Sequence, residues 1–145
     1  MKDKIIKKIE SLLRNKYEEV NFALLFGSQA EERSTPLSDV DIGLHFTEEP
    51  DLLRVGSIVS DIENVTNRKV DVAVLNGLYR KKPAFCFELL KTTKPILVED
   101  EDAYVEFKTN TFIYYLDVKP MLEKMKKQFL KRIESGKIGE RNFSD

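Results

Sequence analysis

Two apolar runs, "VNFALLF" at residues 20–26 and "VDIGLHF" at residues 40–46, are separated only by the stretch 27–39. That gap is too short for an ordinary helical crossover between parallel neighbours. The two runs are therefore expected to be antiparallel partners in one sheet. The first is almost continuously apolar and ends at Gly27, as a strand buried on both faces does. The second alternates, placing Val40, Ile42, Leu44 and Phe46 on one face. Asp39 and Asp41 then share the other face. A third run, "KVDVAVL" at residues 69–75, repeats the arrangement, with Asp71 opposite Val70 and Val72, and stops at the turn signal Asn76-Gly77.

The rest of the chain alternates helices with these strands. Ile5, Ile6, Ile9, Leu12, Leu13 and Tyr17 predict an amphipathic helix over residues 2–17. "QAEER" after Ser28 predicts a short helix, halted where Thr35 precedes Pro36. Leu52, Val55, Ile58, Val59, Ile62 and Val65 have helical period, with Glu48 to Asp51 supplying acids for the first turn. Residues 79–91 are expected to form one helix with Phe85, Leu89 and Leu90 inward. "KPILVE" is expected as a fourth strand, at an edge because of Pro95. From Asp102 a helical pattern runs on, and Pro120 predicts a kink or a junction of two helices. Val118, Met121, Leu122, Met125, Phe129 and Ile133 form a stripe expected to join the domain core. Interleaved strands and helices indicate an α/β (α+β) layer fold: a mixed sheet of about four strands flanked by helices, with a long C-terminal helical segment. Residues 1–100 would form the core, 101–135 a helical extension of the same domain, and 136–145 a flexible tail.

With 145 residues, the chain has room for one domain and little more. Its net charge of −1 argues against electrostatic binding to nucleic acid. No run approaches the ~20 apolar residues of a membrane span, and the N-terminus lacks a signal peptide's apolar stretch. A lone Cys86 excludes an internal disulfide, so a cytoplasmic location is expected.

The three aspartates carry the chemistry. On adjacent strands they converge on one side of the sheet, where they repel one another and lose hydration. Hard divalent cations remove that cost, since Mg²⁺ takes carboxylate oxygens together with waters and substrate phosphates. Two such ions can activate an attacking oxygen and stabilise a leaving phosphate. Gly27-Ser28 supplies the complement: a close backbone approach, amides at the start of the following helix, and a hydroxyl to donate to an anion. Other polar residues fit structural roles. His45 shares the carboxylate face but lies roughly 13 Å from Asp41 at ~3.3 Å per residue, too far for a common metal. Cys86 is expected in the core, Arg80 to Lys82 in a solvated turn, and Lys124, Lys126, Lys127 and Lys131 on the wet face of the last helix.

The stretch "GSQAEERSTPLSDVDI" matches the G-S-x(10)-D-x-D signature of the DNA polymerase beta-like nucleotidyltransferase superfamily, with Asp71 where its third carboxylate belongs. The short chain resembles the minimal nucleotidyltransferase (MNT) branch. Its segment "YYLDVKPMLEKMKKQFLKRIESGKIG" is similar to the C-terminal part of MntA-type antitoxins, partners of HEPN-domain ribonuclease toxins. The resemblance implies a nucleotidyltransferase fold and transfer of AMP from ATP to a tyrosine of a cognate HEPN toxin, silencing it. It implies two Mg²⁺ ions on Asp39, Asp41 and Asp71, and a triphosphate held at Gly27 and Ser28. Many relatives carry a basic residue after Gly-Ser and then Ala-Arg-Gly. Here Gln29-Ala30-Glu31-Glu32 stands instead, leaving Arg33 as the candidate phosphate contact. Two other readings stand beside this one: an antitoxin that masks its toxin by binding alone, and a small-molecule nucleotidyltransferase of the aminoglycoside-modifying kind.

Overall fold

The computed structural model describes residues 2–26 and 39–135. The predicted helix over "QAEER", the residues Gly27, Ser28 and Arg33, and the tail 136–145 lie outside them.

Four strands, β1 (Val20–Phe26), β2 (Val40–Phe46), β3 (Val70–Val74) and β4 (Lys94–Val98), form one sheet in the order β3-β2-β1-β4. β1 runs antiparallel to both β2 and β4, whereas β2 and β3 are parallel. The sheet is therefore mixed, as the short gap after β1 requires, and β4 occupies an edge. The parallel pair has a full crossover between its strands, α2 (Leu52–Thr66). Asp51 caps α2 by accepting a hydrogen bond from the Arg54 amide at 2.7 Å. The acids at 48–51 thus precede the helix instead of filling its first turn. Asn67 ends it in the left-handed conformation.

Each sheet face carries its own core. Ala23, Leu25, Val40, Ile42, Leu44 and Phe46 pack against α1 (Lys2–Lys16) through Ile5, Ile9 and Leu13, and against α2 through Ile58 and Ile62. Leu52 lies beyond this contact and is exposed, because the stripe on α2 reaches the sheet only from its second turn. The Tyr17 hydroxyl donates to Asp61, and Lys16 reaches the same carboxylate at 2.7 Å, joining α1 to α2. On the other face Phe22 and Leu24 meet α3 (Leu78–Lys81), α4 (Pro83–Thr92) and α5 (Glu101–Ser135) through Tyr79, Cys86, Leu89 and Phe107.

Three expectations are corrected. The single helix over 79–91 is two, broken at Lys82 (φ −137°, ψ 66°). The ring of Pro83 drives its predecessor out of the helical region, and Pro83 itself starts α4. The side of α4 that packs on the sheet runs through Cys86, Leu89 and Leu90, spaced i, i+3 and i+4, which leaves Phe85 exposed. Of the two outcomes expected at Pro120, the junction of two helices is not formed, since α5 is helical through it. Pro120 is exposed, so the carbonyl it leaves without an amide partner is free to meet water. Finally, the stripe on the later half of α5 is not core: Met121, Met125, Phe129 and Ile133 are each more than half exposed. The reason is length. The 35 residues of α5 span roughly 52 Å at ~1.5 Å each. The seven-residue strands span only about 23 Å, so the helix outruns its own domain.

Candidate functional site

The ladder places the carboxylates. Asp41 is the antiparallel partner of Phe26 and the parallel partner of Asp71. Side chains of partnered residues share a face, at a strand spacing of about 4.8 Å. Asp41 and Asp71 therefore stand side by side, and Asp39, just before β2, follows on the same side. Their neighbours Val40 and Val70 point into the opposite core. Because Phe26 pairs with Asp41, β1 ends directly beside the acids. Further along this face Leu75 covers Gly43. A Cβ at Gly43 would fall 2.9 Å from Leu75 Cδ1, so any side chain there would have to push the Leu75 side chain aside.

Asp41 is half-buried between exposed Asp39 and exposed Asp71. Burial, then the negative charges of Asp71 and Asp39, push its carboxyl above the usual aspartate range. Among the described residues no three His, Cys, Asp or Glu side chains form a ready-made metal cage. Mg²⁺ does not require one, since it is commonly held by one or two carboxylates together with substrate phosphates. An all-oxygen, mutually repelling donor set fits such a cation: its binding would relieve the repulsion that raises Asp41.

Comparison with known proteins gives the family and the fold. The family model described as polymerase beta, nucleotidyltransferase matches residues 7–102. The chain belongs to that family. A Methanocaldococcus jannaschii protein named as a candidate protein adenylyltransferase is 34% identical over 74 residues, covering 51% of this chain and 85% of the relative. A solved toxin–antitoxin structure with AMP-PNP superposes with TM-score 0.71 at 18% identity, covering 86% of this chain and 98% of the matched one. A structure of a tri-AMPylated HEPN toxin with its MNT antitoxin, from Shewanella oneidensis, gives TM-score 0.68 at 17% identity, covering 90% and 99%. At such identities these structural likenesses speak to the fold.

Other features of this nucleotidyltransferase have structural roles. A cleft of about 610 Å³ opens at the far end of the sheet, lined by Glu18, Glu19, Glu48, Glu49, Asp51 and Arg54 among others. Three of its charged residues hold α2: Asp51 is the cap and Arg54 pairs with Glu19. The candidate site is drawn instead from the strand register that sets Asp41 beside Asp71. Burial pushes the Cys86 thiol up to about 11, leaving it an inert core residue. Arg80, Lys81 and Lys82 are exposed around the α3–α4 junction. What the periodicity missed is the apolar surface of α5, which also takes in Phe112, Ile113, Leu116 and Leu130. Helix length set against strand length was the available signal.

His45 is also structural, and it makes acid a destabilising condition. Its ring stacks on Phe22 at 4.8 Å, and the Asn21 side-chain amide lies 3.1 Å from Nδ1. Asn21 Oδ1 accepts from Thr47, which turns its NH₂ toward the imidazole and favours an unprotonated Nδ1. Burial lowers the His45 pKa against the opposing pull of Glu106 and Asp100. A folded-state pKa below the unfolded one makes stability fall as pH drops through the ordinary histidine value of about 6.5. We expect the wild-type Tm to fall over that range and the fall to be shallower in His45→Phe, measured by thermal denaturation across pH.

Proposed function

We propose that this protein transfers AMP from ATP to a tyrosine hydroxyl of a HEPN-domain toxin and thereby silences it. The observation that carries the reading is the Asp41–Asp71 register pair with Asp39 beside it, at the end of the sheet where β1 finishes at Phe26. The adenylyltransferase relatives and the AMPylated toxin complex support the choice of AMP and of a protein acceptor.

In this mechanism Asp39, Asp41 and Asp71 hold Mg²⁺, which when bound supplies charge neutralisation for the triphosphate. Gly27 and Ser28 hold the β- and γ-phosphates, with Arg33 as a further contact. The tyrosine oxygen attacks the α-phosphorus in line. The α–β phosphoanhydride bond breaks and pyrophosphate leaves. Asp71, exposed on the outermost strand β3, takes the hydroxyl proton. Adding the neighbouring HEPN protein, Mg²⁺ and each labelled NTP in turn tests this. A mass gain of one AMP on the partner is expected with ATP; no gain with any NTP sinks the reading.

The exposed apolar length of α5 favours a second reading, in which the toxin is masked by binding alone. Neutralisation that survives Asp71→Asn would select it.

A further inference from the structure

The two edges of the sheet are not alike. β4 carries Lys94 and Pro95, residue types that discourage another strand from pairing. β3, "VDVAV", has neither lysine nor proline. Its hydrogen-bonding directions follow from two recorded bonds. The Val40 amide donates to the Lys69 carbonyl at 2.9 Å, and the Leu75 amide donates to the Leu44 carbonyl at 2.8 Å. Residues 69, 71, 73 and 75 therefore turn their backbone groups toward β2, and Val70, Val72 and Val74 turn theirs outward. The first outward amide, of Val70, is closed by the Glu63 side chain at 3.0 Å. Those of Val72 and Val74 meet no backbone partner among the described residues. The open row starts one residue after Asp71.

Resting on the acceptor reading above, we propose that this edge is where the acceptor binds. An extended segment of the target protein pairs as a fifth strand with Val72 and Val74, and its tyrosine, level with Asp71, presents its hydroxyl to that carboxylate. Unpaired N–H and C=O groups in a row are matched by an extended polypeptide backbone. An added strand lies about 4.8 Å away, so a side chain on the carboxylate face stands directly beside Asp71. A second copy of this chain fits less well. The valine side chains pack into the core, so the edge offers backbone alone. A five-residue strand also falls well short of the ~1,200 Å² that a stable interface buries. Acceptor choice would then depend on a tyrosine in a segment able to become extended, more than on a cavity that fits a particular side chain.

Val74→Pro tests this, because its amide is not used by β2 and an edge proline is tolerated where the N–H faces outward. With the intact HEPN-domain protein as acceptor, the acceptor KM should rise about tenfold or more, the worth of one or two hydrogen bonds, while kcat and AMP-PNP binding stay near wild type. In wild-type protein, hydrogen exchange at the Val72 and Val74 amides should slow when the HEPN protein is added. A folded Val74→Pro protein with wild-type acceptor KM overturns the proposal, as does unchanged exchange at both amides. Protection that appears from self-association alone, without the HEPN protein, also overturns it. If Val74→Pro does not fold, the exchange measurement decides. If AMP is never transferred but the HEPN protein protects both amides, the docking edge stands and the transfer reading falls.

Discussion

Asp71→Asn is expected to remove nearly all nucleotidyl transfer while leaving the protein folded. Asparagine keeps the shape of the side chain and loses both its charge and its ability to take a proton. Asp71 is exposed on β3, so nothing in the core depends on it. Loss of a positioned base costs about 10²–10⁴ in rate, and weaker holding of the metal adds to that. The companion change Asp41→Asn separates function from stability more sharply. Burial and the charges of Asp71 and Asp39 disfavour ionised Asp41 in the folded state. With its folded pKa above the unfolded one, the ionised group works against folding at neutral pH. Asp41→Asn removes that penalty, so its Tm should equal or exceed wild type while transfer collapses, the trade-off seen where a site is built against its own stability. Labelled AMP transfer and thermal melts on the same preparations check both halves. Transfer near the wild-type rate in either variant would remove these residues from the chemistry.

The parts of this layout that were legible in sequence were those set by local alternation. Val40, Ile42, Leu44 and Phe46 can be buried together only if Asp41 faces away, so the acid's face follows from its neighbours. The antiparallel β1–β2 pair followed from a gap too short for a crossover, and the edge position of β4 from Pro95. What was not legible depended on distance between elements. Helical period on α2 included Leu52, but the sheet ends before reaching it. The same rule put Phe85 inward, whereas the i, i+3, i+4 set that α4 buries is Cys86, Leu89 and Leu90. Most of all, an apolar stripe says that a helix has a side to bury and does not say against what. Nothing in residues 118–133 reveals that the sheet is too short to receive them.

That difference between the two halves of α5 gives the second large effect. Phe107 is the helix's main anchor, almost wholly buried, with ring centroids 5.7 Å from Phe22, 6.3 Å from His45 and 6.1 Å from Tyr79. It is the point at which β1, β2, α3 and α5 meet. Phe107→Ala should cost about 3–5 kcal/mol, transfer energy plus the cavity left behind. Against a typical total of roughly 5–15 kcal/mol, that is enough to leave the fold marginal. Phe129 is as large and as apolar, yet more than half exposed. Phe129→Ala should change stability by no more than about 0.5 kcal/mol, as surface substitutions do. Urea denaturation of the two variants makes the comparison, with the midpoint falling steeply for Phe107→Ala and staying in place for Phe129→Ala. If Phe129→Ala were as damaging, the distal stripe would be buried in the isolated protein, and α5 would fold back on its domain or onto another copy. If it is silent alone but weakens association with the HEPN protein, the apolar length of α5 serves the partner, and the anchor at Phe107 is what holds that surface out from the catalytic domain.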